Sequence, residues 1–177
     1  NVIGGAGNDT IFGTAGNNTL SGGSGDDSIT GGIQVDTIYA GLGNDTIFSS
    51  TGNDTIYGGD GLDTFDLSAR TGKIYVNLAE NRAQIDTNNS GTFDIGDETD
   101  ILNSIERVIG NSSDNTLFGD NFANILDGGT AGTNSLYGAG GNDTLIGSGT
   151  GIDIAYYRPA SASIYVDMTK SAQVVRD

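Results

Sequence analysis

Histidine, cysteine and tryptophan are missing from this chain, and proline occurs once. Each absence removes a class of chemistry. Without cysteine there is no disulfide framework and no thiolate metal site, although this says little about compartment. Without histidine the usual acid–base catalyst is gone, as are most zinc and transition-metal sites. Positive charge is scarce: 7 Lys and Arg stand against 23 Asp and Glu, for a formal net charge of -16. Such a chain repels phosphates, so nucleic acid is not an expected partner. No apolar run reaches the roughly 18 residues of a membrane-crossing helix, so no transmembrane segment is expected. Hydrophobic residues make up only 35% of the 177 positions, too few for a thick globular core. With 30 glycines, that composition ordinarily leans toward disorder. No secretory leader is visible at the start, and the first residues already lie inside a repeat, so the chain reads as a piece of something longer.

The repeat is what the composition hides. Residues 4–66 divide into GGAGNDTIF, GTAGNNTLS, GGSGDDSIT, GGIQVDTIY, AGLGNDTIF, SSTGNDTIY and GGDGLDTFD, in one unbroken register. The sixth position reads Asp9, Asn18, Asp27, Asp36, Asp45, Asp54, Asp63, and the eighth reads Ile11, Leu20, Ile29, Ile38, Ile47, Ile56, Phe65. The Gly-rich half of each block can reach left-handed angles and bend tightly. The Thr-Ile-aromatic half has strand character. Within that trio the eighth side chain points opposite to its neighbours, so one apolar residue per block goes inside. Two blocks make a coil of about 18 residues with a strand on each side, and stacked coils form two parallel sheets across a thin Ile/Leu core.

Residues one coil apart lie on the same edge, about 4.8 Å apart. Asp9, Asp27, Asp45 and Asp63 form one column; Asn18, Asp36 and Asp54 form the other. Two carboxylates at that spacing repel by roughly 1 kcal/mol in water and about 3–4 at an effective dielectric near 20. A cation between stacked pairs reverses the sign, and the oxygens on offer suit calcium rather than zinc or copper.

The blocks resemble the calcium-binding nonapeptide GGxGxDxUx of RTX (repeats-in-toxin) proteins. The resemblance implies an all-β, right-handed parallel β-roll. It also implies several calcium ions along an edge, held by sixth-position aspartates and by turn carbonyls such as those of Gly7, Gly25, Gly43 and Gly61. Members are exported by type I secretion and fold on meeting external calcium. Departures gather in the second column: Asn18 is neutral, Gln34 replaces a glycine, and Ser49 and Ser50 replace two more. The first column, altered only at Ala40, is expected to hold the better sites.

The register stops at DLSARTGKIYVNLAENRAQ, where KIYVNL alternates as a half-buried strand. The phrase returns as SIYVDM, which sets Ile74-Tyr75-Val76 against Ile164-Tyr165-Val166, and Asp63 against Asp153. The expected organisation is therefore a first array at 1–66, an insert at 67–109, a second array at 110–156 and the start of another strand insert at 157–177, with a parent chain running further. The second array has Asn115, Asn124, Asn134, Asp143 and Asp153 at its turn positions, with an extra residue in two blocks. Asn tolerates left-handed turns and stacks without repulsion. Amide contacts are expected to hold most of this array, with calcium near Asp143 and Asp153; weak binding by Asn carbonyls is the alternative.

The insert carries DTNNSGTFDIGD at 86–97. It resembles an EF-hand or dockerin loop, with Asp86, Asn88, Ser90, Thr92, Asp94 and Asp97 at positions 1, 3, 5, 7, 9 and 12, and Gly91 at the bend. Position 12 is Asp rather than Glu, the flanks do not read as helices, and a polar Asx-turn loop fits the same residues.

No nucleophile has a base and no glycine pattern matches a phosphate loop, so an enzyme is not expected. An ice-binding face would need a flat row of threonines, whereas the third positions read Ala6, Ala15, Ser24, Ile33, Leu42, Thr51 and Asp60. Two readings remain. One is a noncatalytic calcium-binding structural module of a large secreted cell-surface protein, of adhesin, S-layer or fibril type. The other is the export and folding tail of a secreted enzyme or toxin. The longer period favours the first, with neighbouring modules of the same chain as partners. Ninth-position aromatics (Phe12, Tyr39, Phe48, Tyr57) are expected to pack beneath the insert, with a role in lateral self-association as the alternative.

Overall fold

The computed structural model describes residues 1–157, 164–167 and 172–176. In the first array the strands alternate between two sheets: β1 (Val2–Ala6), β2 (Thr10–Phe12), β3 (Thr19–Ser24), β4 (Ser28–Thr30), β5 (Thr37–Leu42), β6 (Thr46–Phe48), β7 (Thr55–Asp60) and β8 (Thr64–Asp66). The insert adds β9 (Ile74–Asn77), a 3-10 turn at Leu78–Glu80, β10 (Arg82–Ile85) and β11 (Glu98–Asn103). Then come β12 (Arg107–Ile109), β13 (Asn115–Phe118), β14 (Ile125–Asp127), β15 (Ser135–Tyr137), β16 (Asp143–Ile146), β17 (Asp153–Tyr157), β18 (Ile164–Asp167) and β19 (Ala172–Arg176). Sheet A has the order β1-β3-β5-β7-β11-β10-β9-β13-β15-β17-β19, and sheet B the order β2-β4-β6-β8-β12-β14-β16-β18. The molecule is a parallel β-solenoid, as the repeat implies.

Registers follow the repeat. Leu20 faces Ile38 and Ile38 faces Ile56 in sheet A; Ile11 faces Ile29, Ile47 and then Phe65 in sheet B. Every eighth-position side chain is buried, and the row continues through Leu102, Val108, Leu117, Leu126, Leu136 and Leu145. Each half-coil thus places one inward side chain per strand on the shared core, which is why alternation within three residues suffices to set the fold. In the second array the coil lengthens to 19 residues, seen as Asn115 on Asn134 and Asn124 on Asp143.

The insert departs from the expected single strand. β9, β10 and β11 form a meander in which β10 runs antiparallel to both neighbours. β11 returns to lie beside β7, while β9 receives β13. Sheet A therefore gains three strands between β7 and β13, whereas sheet B has only β12 between β8 and β14. Because the meander extends the sheet in its own plane, it does not cover the ninth-position aromatics. Phe12, Tyr39, Phe48 and Tyr57 are exposed instead, with Tyr39 and Tyr57 stacked at 5.0 Å. The phrase shared by β9 and β18 does not occupy equivalent places, since β18 pairs with β16 in sheet B. The rest of the insert expected at 157–177 lies outside the described residues, apart from β18, β19 and the end of β17.

Candidate metal centre

Each sixth-position residue stands just before a strand or opens one, so its side chain faces the coil edge while the eighth goes into the core. The carboxylates hold the coils in step through one oxygen. Asp9 N donates to Asp27 Oδ1 at 2.8 Å, Asp27 N to Asp45 Oδ1 at 2.7 Å and Asp45 N to Asp63 Oδ1 at 2.9 Å. On the other edge Asn18 N donates to Asp36 Oδ1 at 2.7 Å and Asp36 N to Asp54 Oδ1 at 2.8 Å. Both columns continue through the insert. Asp63 N donates to Glu106 Oε2 at 2.9 Å, and Asp54 N to Asp100 Oδ1 at 2.9 Å. Glu106 and Asp100 were not among the expected site residues. The signal that could have found them is the trio acid, any residue, apolar: Glu106-Arg107-Val108 and Asp100-Ile101-Leu102 copy Asp-Thr-Ile outside any nonad.

The second carboxylate oxygen is where the edges differ. Oδ2 of Asp9, Asp27, Asp36, Asp45, Asp63 and Asp143 is buried with no hydrogen-bond partner. Five of these lie on the sheet B edge and only Asp36 on the sheet A edge. A buried, unpartnered carboxylate oxygen is costly unless a cation meets it. Burial pushes Asp63 and Asp54 up to about 6 and raises Asp45, Asp143, Glu98 and Glu106. Asp100 is raised well above the usual carboxylate range by the same cause.

Glycine at the first turn position keeps space beside Oδ2 of Asp9, Asp27, Asp36, Asp63 and Asp143, while Ala40 holds that position ahead of Asp45. A Cβ on Gly22 would lie 2.2 Å from Asp27 Oδ2 and 2.5 Å from the Ala40 carbonyl; one on Gly58 would meet Asp63 Oδ2 at 2.6 Å and the Ser104 carbonyl. The fourth turn position takes positive φ, 100° to 147° at Gly7, Gly25, Gly43 and Gly61, and 78° at the non-glycine Gln34. Among the described residues no three or more acidic side chains converge on one point. The donor set is instead one carboxylate per coil with backbone oxygens around it. An all-oxygen set of that kind fits calcium, with its variable coordination, better than a softer metal. In this arrangement Asp9, Asp27, Asp45, Asp63, Asp36 and Asp143 would supply the charged oxygens.

At Asn18 and Asn115 the amide enters the same carbonyl cage, whereas Asn124 Nδ2 is buried without a partner. Asn18 Nδ2 donates to the Thr14 and Gly16 carbonyls at 3.0 and 2.8 Å. Asn115 Nδ2 donates to the Ser113 and Gly128 carbonyls at 2.8 and 3.0 Å and to Asn134 Oδ1 at 2.8 Å. These amides satisfy the carbonyls without a cation. Asp54 and Asp153 also differ from the rest: the Ser50 hydroxyl donates to Asp54 Oδ2 at 3.0 Å, and Ser148 N donates to Asp153 Oδ2 at 2.6 Å.

The 86–97 loop connects β10 to β11 directly after the paired residues Ile85 and Glu98, so its flanks are strands. It is closed by its own hydrogen bonds. Asp86 accepts from Ser90 N at 3.0 Å and Gly91 N at 2.6 Å; Asp97 accepts from Asp94 N at 2.9 Å and Thr87 N at 3.1 Å. Asn88 Nδ2 donates to Asp94 at 3.3 Å, and the Ser90 hydroxyl donates to the Thr92 carbonyl at 2.8 Å. The six residues are brought together as a folded Asx-turn loop whose first carboxylate is already partnered.

Among the described residues no helix is long and apolar enough to cross a membrane. No curated protein matches the chain significantly. A family model, four copies of the RTX calcium-binding nonapeptide repeat, matches residues 3–38, 39–69 and 109–145, more than half of the chain. The gap in the match coincides with the meander. Repeats of this family bind several calcium ions per stack and occur in secreted proteins. Register, buried aspartate edges and family match agree, and the chain belongs to the RTX calcium-binding nonapeptide repeat family.

Proposed function

We propose that this chain is a noncatalytic structural module of a large secreted cell-surface protein, of adhesin, S-layer or fibril type, which folds on binding calcium after export. The observation that supports it is the edge of buried aspartates whose Oδ2 atoms have no partner. Such an edge opposes folding until a cation is present, and calcium bound only to the folded state then stabilises it by mass action. Several sites in one stack make the transition steep. Where free calcium is scarce the chain stays open and passes through an exporter; where it is plentiful the coils close into a stiff spacer between neighbouring modules.

The test is a calcium titration of the chain followed by far-ultraviolet circular dichroism. The expected result is a disordered spectrum in chelator and a steep change to β structure at a midpoint well above about 1 µM. The same folded spectrum in chelator would remove the calcium requirement. A midpoint below about 1 µM would allow folding before export and remove the secretion-coupled reading.

A further inference from the structure

We propose that Ser50 and Ser148 are built-in plugs that keep calcium away from Asp54 and Asp153. The proposal rests on the calcium reading of the aspartate edges and divides those aspartates into two kinds. Both serines occupy the second turn position ahead of their aspartate. The six aspartates with an unpartnered Oδ2 have no hydroxyl there: Gly5, Gly23, Gly32, Gly41 and Gly59 precede Asp9, Asp27, Asp36, Asp45 and Asp63, and Ala139 precedes Asp143. Only the two aspartates that follow a serine have both carboxylate oxygens hydrogen-bonded among these eight.

The Ser148 side chain fills its cage. Its Oγ lies 2.9 Å from the Thr150 carbonyl, 3.4 Å from the Gly132 carbonyl and 3.2 Å from each oxygen of Asp153. Asn134 Nδ2 adds a donor to Asp153 Oδ1 at 2.7 Å. A fully buried carboxylate is thus met by neutral donors in the space that a cation would take. Ser50 does the same with help. A Cβ on Gly31 would meet Ser50 Oγ at 2.8 Å and Asp36 Oδ2 at 2.6 Å, so the hydroxyl also projects into the neighbouring cradle. Beside it the Arg70 guanidinium donates to the Ser50 carbonyl and to Glu98 Oε2, the latter at 2.7 Å, and so takes up that carbonyl without a cation. Together with the amides of Asn18 and Asn115, the serines leave Asp36 Oδ2 and Glu98 Oε1 as the unpartnered carboxylate oxygens of the sheet A edge among the described residues, against five on the sheet B edge, and so shift calcium toward sheet B.

The test has two arms on the full chain. An anomalous map of calcium-grown crystals should show ions beside Asp27 and Asp63 and none beside Asp54 or Asp153. Ser148→Gly, which restores the nonad residue and opens the cage, should bind one more calcium per chain than the parent by equilibrium dialysis. An ion at Asp153 in the parent overturns the proposal, as does an unchanged stoichiometry in a folded Ser148→Gly. If the variant does not fold, the map alone decides. A parent with no calcium anywhere defeats the calcium reading itself, an outcome distinct from ions present at the serine-capped positions.

Discussion

Asp27→Asn is the substitution that separates a calcium ligand from a structural aspartate. Asp27 is buried between Asp9 and Asp45, its Oδ1 accepts from Asp9 N, and its Oδ2 has no partner. An Asn keeps the accepting oxygen and, as Asn18 shows, can turn its amide onto turn carbonyls. In chelator the variant loses two like-charge neighbours, each worth about 3 kcal/mol at one strand spacing and an effective dielectric near 20. Relaxation and screening reduce this, so a gain of about 2–4 kcal/mol is expected. In saturating calcium the balance reverses. One site is lost, which costs about 2.7 kcal/mol at a hundredfold excess over its dissociation constant and removes about 1.4 kcal/mol of slope per tenfold calcium. Stability against free calcium, from urea unfolding followed by circular dichroism, should therefore give two lines that cross: the variant above the parent at low calcium and below it at high. Parallel lines, with the variant less stable by the same amount throughout, would refute a cation at Asp27.

Acidification of the metal-free chain should help it fold. Asp54 and Asp63 sit at about 6 in the folded state, against an unfolded value near 3.8. The stability they contribute is fully present below about pH 4 and is lost as pH rises through about 6, so ellipticity in chelator should grow from pH 7.5 to about pH 5; no change, or a loss, contradicts the assignment. With calcium present, protons compete for the same carboxylates, and the calcium midpoint should rise over that range. Ile47→Ala empties one inward place of a core fed by one residue per half-coil, and should cost about 2–5 kcal/mol in urea unfolding at saturating calcium; a cost under about 1 kcal/mol would mean that the sheets close over the gap. Asp86→Ala leaves Gly91 N unpartnered and takes one of two acceptors from Ser90 N, which keeps Asn88 Oδ1. It should cost about 2–3 kcal/mol with or without calcium, whereas a cost that appears only in calcium would make the 86–97 loop a metal site after all.

The nonad register made the coil, the inward row and both aspartate columns legible, because each half-coil is decided by its own nine residues. Turn glycines, the Asp-Thr-Ile trio and the single inward side chain carry the information locally. The meander had no such period. KIYVNL announces β9, but β10 and β11 take their places from pairing with one another and with β7, which is not encoded at short range. For the same reason Asp100 and Glu106 stayed hidden although they complete the columns. Ser50 was visible as a departure from glycine, yet only the direction of its Oγ reveals that it satisfies Asp54. Ser148 preceded Asp153 in plain view, and nothing in the alphabet separates a plug from a spacer. The Asn-rich array was read from chemistry rather than pattern, and Asn115 shows the physical form of that reading, an amide hydrogen-bonded to turn carbonyls.

The order β7-β11-β10-β9-β13 in sheet A has a kinetic consequence. A solenoid grows as a zipper, each coil laid on the edge of the one before. Growth from the first array reaches β8 and then finds that the next strand of the chain, β9, does not belong on the open edge of β7. That edge is reserved for β11, which follows only after a hairpin and a twelve-residue loop. The advancing front must wait there until the meander has formed, and β13 in turn cannot dock until β9 offers it an edge. The two arrays are therefore separate runs of growth with a latch between them. Hydrogen exchange on the calcium-loaded chain should show them opening as two blocks that meet at β9–β11, and a single cooperative opening across that boundary would show that the latch transmits rather than interrupts.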